Sequence, residues 1–186
     1  MTDPFLQAAI DEAKQGLKEG GIPIGSVLVH KGKIIGRGHN RRIQKGSCVL
    51  HGEMDALESA GRQPASVYQN SVIYTTLSPC SMCSGAIALY GIPKVIIAEN
   101  KTFMGEEAWL KSKGIELEVL QDPTCIKLME DFIEQNPELW NEDIGVWACW
   151  VFILACSWQY LSKINILQFT PFISKLGSLT PLPPNS

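Results

Sequence analysis

Behind Asp3-Pro4, apolar residues fall at Leu6, Ala9, Ile10, Ala13 and Leu17, the three- and four-residue spacing of one helical face. This predicts an amphipathic helix opened by an aspartate cap, with proline in its first turn, and stopped at Gly20-Gly21. The pattern then changes. "IPIGSVLVH" (22–30) and "KIIGRGH" (33–39) read as two strands of an antiparallel hairpin turning at Lys31-Gly32. A polar, glycine-bearing loop from Asn40 to Ser47 leads to "HGEMDALESAG" (51–61), a short helix ended by Gly61. "SVIYTTL" (71–77) is a buried strand of β-branched residues, and "PCSMCSGAIALYG" (79–91) is a helix with Pro79 at its start and Gly91 past its end. "PKVIIAE" (93–99) is a further apolar strand, a helix follows through about Leu110, and "IELEVL" (115–120) is a half-buried strand. "PTCIKLMEDFIEQ" (123–135) closes the series as an amphipathic helix with Ile126, Met129 and Ile133 on one side. Strands alternating with helices after an initial hairpin predict an α/β domain: a three-layer α/β/α sandwich on a mixed five-stranded sheet.

Composition narrows the function. The chain has 186 residues, 45% hydrophobic and 19% charged, which suits a globular domain with its own core and not a disordered chain. A formal net charge of −3 offers no basic face, which argues against a nucleic-acid partner held through its phosphates. The opening "MTDPFLQAAIDEAK" is acidic and amphipathic and does not read as a secretory signal. Six cysteines, at 48, 80, 83, 125, 149 and 156, are therefore expected to be reduced thiols in the cytoplasm or nucleus. There, paired cysteines serve metal binding or catalysis more often than disulfides.

Three histidines are present. His30 and His39 fall at strand ends, where a solvated or hydrogen-bonded role is expected. His51 opens a helix as "HGE", 29 positions before Cys80 in "PCSMC". Cys80 and Cys83 in isolation suit a disulfide, a redox pair or part of a structural metal site. The remaining cysteines form no second pair, so a closed four-cysteine site is unsupported. His51, Cys80 and Cys83 as three ligands leave one position open, the arrangement of a catalytic zinc, which lowers the pKa of bound water from about 15.7 towards 7. With Cys80 and Cys83 in the first turn of one helix, the helix dipole favours their thiolates. Glu53 would stand beside the water as proton carrier rather than ligand. The order H-x-E…P-C-x-x-C is the signature of zinc deaminases.

The chain resembles the fungal cytosine deaminases of the cytidine deaminase-like superfamily. The resemblance runs from about residue 8 to Gly145 and rests on "KEGGIPIG", "GRGHNRRIQKGS", "LHGE", "TTLSPCSMCSGAI", "YGIPK" and "DFIEQNPELWNEDIG" in that order. It implies hydrolysis of cytosine to uracil and ammonia by a homodimer with one Zn2+ per subunit, in pyrimidine salvage. It implies His51, Cys80 and Cys83 as ligands and Glu53 as the proton shuttle for attack at C4. Asn40 and Asp143 are implied to bind the pyrimidine, assisted by backbone groups of Gly52 and Ser78. Phe103 and Trp140 are implied as an aromatic lid, with Ile24 and Leu77 as pocket walls. Where the family tends to have phenylalanine, this chain has Ile43, which is expected to alter one stacking wall. Two rival readings remain. A tRNA adenosine deaminase shares the zinc motif, but the acidic balance and the lack of a basic C-terminal helix stand against it. A non-catalytic zinc-stabilised module would have no use for Glu53.

Charge divides the chain into a deaminase domain, 1–145, and an extension, 146–186. All 19 acidic residues lie at or before Asp143, and residues 144–186 carry only Lys163 and Lys175. Residues 144–162 are uncharged, a length near the roughly 20 needed to span a bilayer, with Trp147, Trp150, Trp158 and Tyr160 as interfacial anchors. Membrane anchoring, a helix packed on the domain, and translation past the gene's proper end are the three expectations for this segment. The last is the leading one, because charge disappears where the resemblance stops.

Overall fold

In the computed structural model the described residues are 3–146, and the expectations for the extension lie outside them. The helix α1 (Pro4–Lys18) is capped by Asp3, whose carboxylate accepts from Phe5 N, and packs Leu6, Ala9, Ile10 and Ala13 inward. Leu17, predicted on that face, is 41% exposed instead, and Gly16 is the residue buried there, against His39 of the second hairpin strand. The hairpin is β1 (Gly25–His30) and β2 (Lys33–His39), with Lys31 and Gly32 both at positive φ in the turn. A short helix α2 (Arg42–Lys45) occupies the predicted Asn40–Ser47 loop, ended by Gly46 in the left-handed region. Then come α3 (Gly52–Ala60), α4 (Ala65–Tyr68), β3 (Ser71–Thr75), α5 (Ser81–Tyr90), β4 (Lys94–Ile97), α6 (Glu107–Ser112), β5 (Glu116–Val119), α7 (Pro123–Gln135) and α8 (Pro137–Asp143).

The sheet order is β2-β1-β3-β4-β5. β1 is antiparallel to β2 and β3, whereas β3, β4 and β5 are parallel, which gives the mixed five-stranded sheet. Side chains alternate across it. Leu28, Ile73, Val95 and Ile97 face one side and pack with Leu57 of α3, Ile87 of α5 and Leu110 of α6. Val27, Val29, Tyr74 and Ile96 face the other side with α1 and Cys125 of α7. These are the two outer helical layers of the expected sandwich. On α7 the fully buried stripe is Cys125, Met129 and Phe132, while Ile126 and Ile133 are only half-buried, so its apolar face is rotated from the predicted one. A third cluster, Ile22, Ile24, Leu77, Met129, Phe132 and Trp140, joins α7 and α8 to the ends of β1 and β3. It forms the apolar wall of the site. Among the described residues no helix is long and apolar enough to cross a membrane.

Candidate active site and metal centre

Two helix N-termini converge at one end of the sheet. His51 is the N-cap of α3 and Cys80 the N-cap of α5, both in extended backbone conformation, with Cys83 three positions on. Cys80 thus sits one residue before the first turn predicted for it, because Pro79 precedes the cap and the helix begins at Ser81. At the N-cap Cys80 still feels the positive end of the helix dipole, which is strongest there and in the first turn. The ligand atoms of His51, Cys80 and Cys83 all lie within 4.8 Å of one another. One nitrogen and two sulfurs are a donor set that suits zinc, and the three can hold one ion.

The thiols differ. The hydrogen bond donated by Cys83, opposed by burial and aided by His51, lowers Cys80 to a pKa of about 4. Cys83, donor to that sulfur and buried near Glu53, is pushed well up. A cation held by both sulfurs would favour the thiolate at each. His51 Nδ1 lies 3.5 Å from Cys80 Sγ, so Nδ1 faces the sulfurs. Its Nε2 lies 3.6 Å from Asp143 Oδ1. Burial opposes the charged imidazole, but the Cys80 sulfur and then Asp143 outweigh it and raise the pKa of His51.

Glu53, at the second position of α3, is buried. Burial first, then the negative Cys80, raises its pKa, the direction a proton carrier working near neutrality requires. Thr75 at the end of β3 donates its hydroxyl to Glu53 Oε1 at 3.1 Å, which fixes the carboxyl rotamer.

Ile24, His51, Glu53, Leu77, Ser78, Cys80, Phe103, Trp140, Asp143 and Ile144 line one pocket of about 310 Å³, its open mouth included. Phe103 and Trp140 meet edge to face with ring centroids 5.9 Å apart. Asn40 is fully buried behind Asp143, donating Nδ2–H to its Oδ1 at 3.0 Å and accepting Arg42 N–H on its own Oδ1 at 3.1 Å. One amide N–H of Asn40 is thereby left for a ligand. Ser78 N–H is taken by the carbonyl of Glu99 at 3.0 Å, so only the Ser78 carbonyl is left to face a substrate. Gly52, first residue of α3, has an N–H without an intrahelical partner. Ile43 is not a pocket wall: 41% exposed, it lines a separate outward hollow with Ile22, Leu139 and Glu142. A larger hollow between α3, α4 and the end of α5, bordered by Leu57, Tyr68, Leu89 and Tyr90, lies away from the metal donors.

Several supports were missed by sequence reasoning. Glu99 ends the apolar run after β4, and its carboxylate accepts from the N–H groups of Lys101 at 2.7 Å and Thr102 at 3.1 Å, bending the chain towards Phe103. Glu107 accepts from Ser78 Oγ at 2.8 Å and Asn100 at 3.0 Å, while Gly105 N donates to Ser78 Oγ at 3.1 Å. The one available signal was a carboxylate ending an apolar strand. His39 is buried with Nδ1 and Nε2 each 3.0 Å from a carboxylate, Glu12 of α1 and Glu19 at its C-cap, which anchors β2 immediately before Asn40.

Comparison with known proteins agrees with this geometry. Residues 2–99, over half the chain, match the family described as the cytidine and deoxycytidylate deaminase zinc-binding region. A cytosine deaminase from Candida albicans is 55% identical over 141 residues, 75% of this chain and 94% of the relative. A tRNA-specific adenosine deaminase from Streptococcus pyogenes is 35% identical over 144 residues, 72% of this chain and 91% of the relative. The solved guanine deaminase from Nitrosomonas europaea superposes with a TM-score of 0.56 at 20% identity, over 70% of this chain and 85% of that one, a likeness of fold. On its matched motif and on its relatives, the chain belongs to the cytidine and deoxycytidylate deaminase family.

Proposed function

We propose that this protein hydrolyses free cytosine to uracil and ammonia. The observation that carries the reading is the closure of the metal pocket by the chain's own α8, which sets Trp140 and Asp143 beside Glu53. The pocket lining, apolar Ile24, Leu77, Phe103 and Trp140 with Glu53 and Asp143 among them, suits a single base. The 55% identity to a cytosine deaminase, against 35% to tRNA-specific adenosine deaminases, supports the same substrate.

His51, Cys80 and Cys83 would hold zinc, which supplies a Lewis acid that brings a bound water near neutral pKa. The rest falls to the protein's own groups. Asp143 and Asn40 bind the pyrimidine edge, and Trp140 and Phe103 enclose its faces. Glu53 takes a proton from the attacking water and delivers it to N3 as oxygen bonds to C4. It then carries the remaining hydroxyl proton to the amino nitrogen, and the C4–N bond breaks to release ammonia. One carboxyl group thus makes both transfers and ends as it began.

The protein acts as a homodimer in this reading. The helix α5 is largely apolar, yet Leu89 is 79% exposed and a Cβ on Gly85 would meet nothing within 4 Å, an outward face that suits a second copy. A cytoplasmic place in pyrimidine salvage, with residues 1–145 as the catalytic domain, belongs to the same reading.

Glu53→Gln tests the chemistry. Ammonia release from cytosine is expected to fall by about 10³-fold or more while zinc stays at one per chain. Retained turnover in that variant would exclude Glu53 as the proton carrier.

A further inference from the structure

We propose that Arg42 is a positioning residue that fixes the Asp143 carboxylate, and with it α8, against the Asn40 loop. This rests on the assignment of Asp143 to the substrate site. Arg42 opens α2, and its Nη1 donates to Asp143 Oδ1 at 3.0 Å. Nη2 stands 3.6 Å from Glu142 Oε1 on the same turn of α8. The Asp143 side chain is 3% exposed and that of Arg42 17%, so the pair is held out of water, where its geometry counts for more than in an exposed ion pair.

Asn40 and Arg42 donate to the same oxygen of Asp143, each at 3.0 Å. Among the described residues no hydrogen bond reaches Oδ2, which stays available as the acceptor for a ring N–H. With Arg42 removed, the Asn40 amide would be the one hydrogen bond left on Oδ1, beside the His51 ring at 3.6 Å, and the carboxylate would turn more freely. The guanidinium is itself built in. The base of α2 is tied by Arg41 N to Leu50 O at 2.8 Å and by Ser47 N to Arg42 O at 2.9 Å. Arg42 Nε is buried without a hydrogen-bond partner among the described residues, a cost that packing alone does not require. A fork that spans two carboxylates needs arginine, since a lysine ammonium is a single point donor. The arrangement therefore links the loop that carries Asn40 to the helix that closes the pocket, two segments 101 residues apart in sequence.

The test uses full-length zinc-loaded protein and the variants Arg42→Gln, Arg42→Lys, Asp143→Asn and the double variant Arg42→Gln/Asp143→Asn. Arg42→Gln is expected to raise the KM for cytosine about tenfold, to leave zinc at one per chain, and to speed amide hydrogen exchange in residues 137–144 about tenfold. Arg42→Lys is expected to recover part of both effects, and if Arg42→Gln fails to fold, Arg42→Lys carries the test. In the Asp143→Asn background, removal of Arg42 is expected to add little, because the two act through one contact. Unchanged exchange in residues 137–144 overturns the proposal whether or not cytosine is the substrate. Unchanged KM in an active enzyme overturns it too, and loss of zinc in Arg42→Gln assigns the residue to the metal site instead. Absence of turnover in the wild type would overturn the cytosine reading, while hydrogen exchange still decides the role of Arg42.

Discussion

Cys80 and Cys83 are three residues apart, yet one thiol is pulled to a pKa of about 4 by its contact with Cys83 and the other is pushed up by its contact with Cys80 and by burial. A metal held by both sulfurs would remove that asymmetry. Cys80→Ser is therefore expected to lose zinc on dialysis against a chelator that leaves the wild type loaded, and to unfold at lower temperature, since ligand binding to the native state adds to its stability. Metal analysis beside a thermal melt checks both effects. His51, Glu53, Cys80 and Cys83 were legible in sequence because their spacing is local to two helix starts. Ile43 was misplaced because the loop carrying it folds into α2 and turns the side chain outward. Arg42 and Thr75 were invisible: their roles arise from contacts with Asp143 and Glu53, which lie 101 and 22 residues away in sequence.

At the scale of elements, close backbone approach decides what the sequence can vary. A Cβ on Gly38 of β2 would stand 2.3 Å from Ala56 N of α3, so the strand leading to Asn40 and the helix carrying Glu53 touch through a glycine. A Cβ on Gly105 would stand 1.9 Å from Pro79 O, so the loop bearing Phe103 is pressed onto the backbone just before Cys80. Gly38→Ala and Gly105→Ala are each expected to cost about 1–3 kcal/mol in denaturant unfolding, through overpacking against backbone that has nowhere to go. Gly105→Ala is expected in addition to raise the KM for cytosine by displacing Phe103, whereas a change in stability without any in KM would separate the loop from the pocket. The strands and the long helices were legible from their periods of two and 3.6 residues. The four-residue α2 and α4 were not, being too short to show a period, and α8 was hidden by its acidic residues. The rotation of α7 was set by tertiary contacts with Trp140 and the ends of the sheet, which no local pattern encodes.

Over the catalytic unit as a whole, the sheet supplies a rigid floor and the metal motif sits where helix N-termini meet beside it. The mixed five-stranded sheet followed from the alternation of strands with helices after a hairpin, whereas the strand order and the closure by α8 needed the full fold. The outward face of α5 gives the whole-molecule expectation. Leu89→Glu should convert a dimer to a monomer in analytical ultracentrifugation, and an unchanged dimer would place the interface elsewhere. The central claim concerns the substrate. It is tested most directly by ammonia release from cytosine, cytidine, adenine and tRNA offered separately to the purified zinc-loaded protein. Release from cytosine alone, with uracil formed in equal amount, is the expected result. Deamination of tRNA without deamination of cytosine would contradict it.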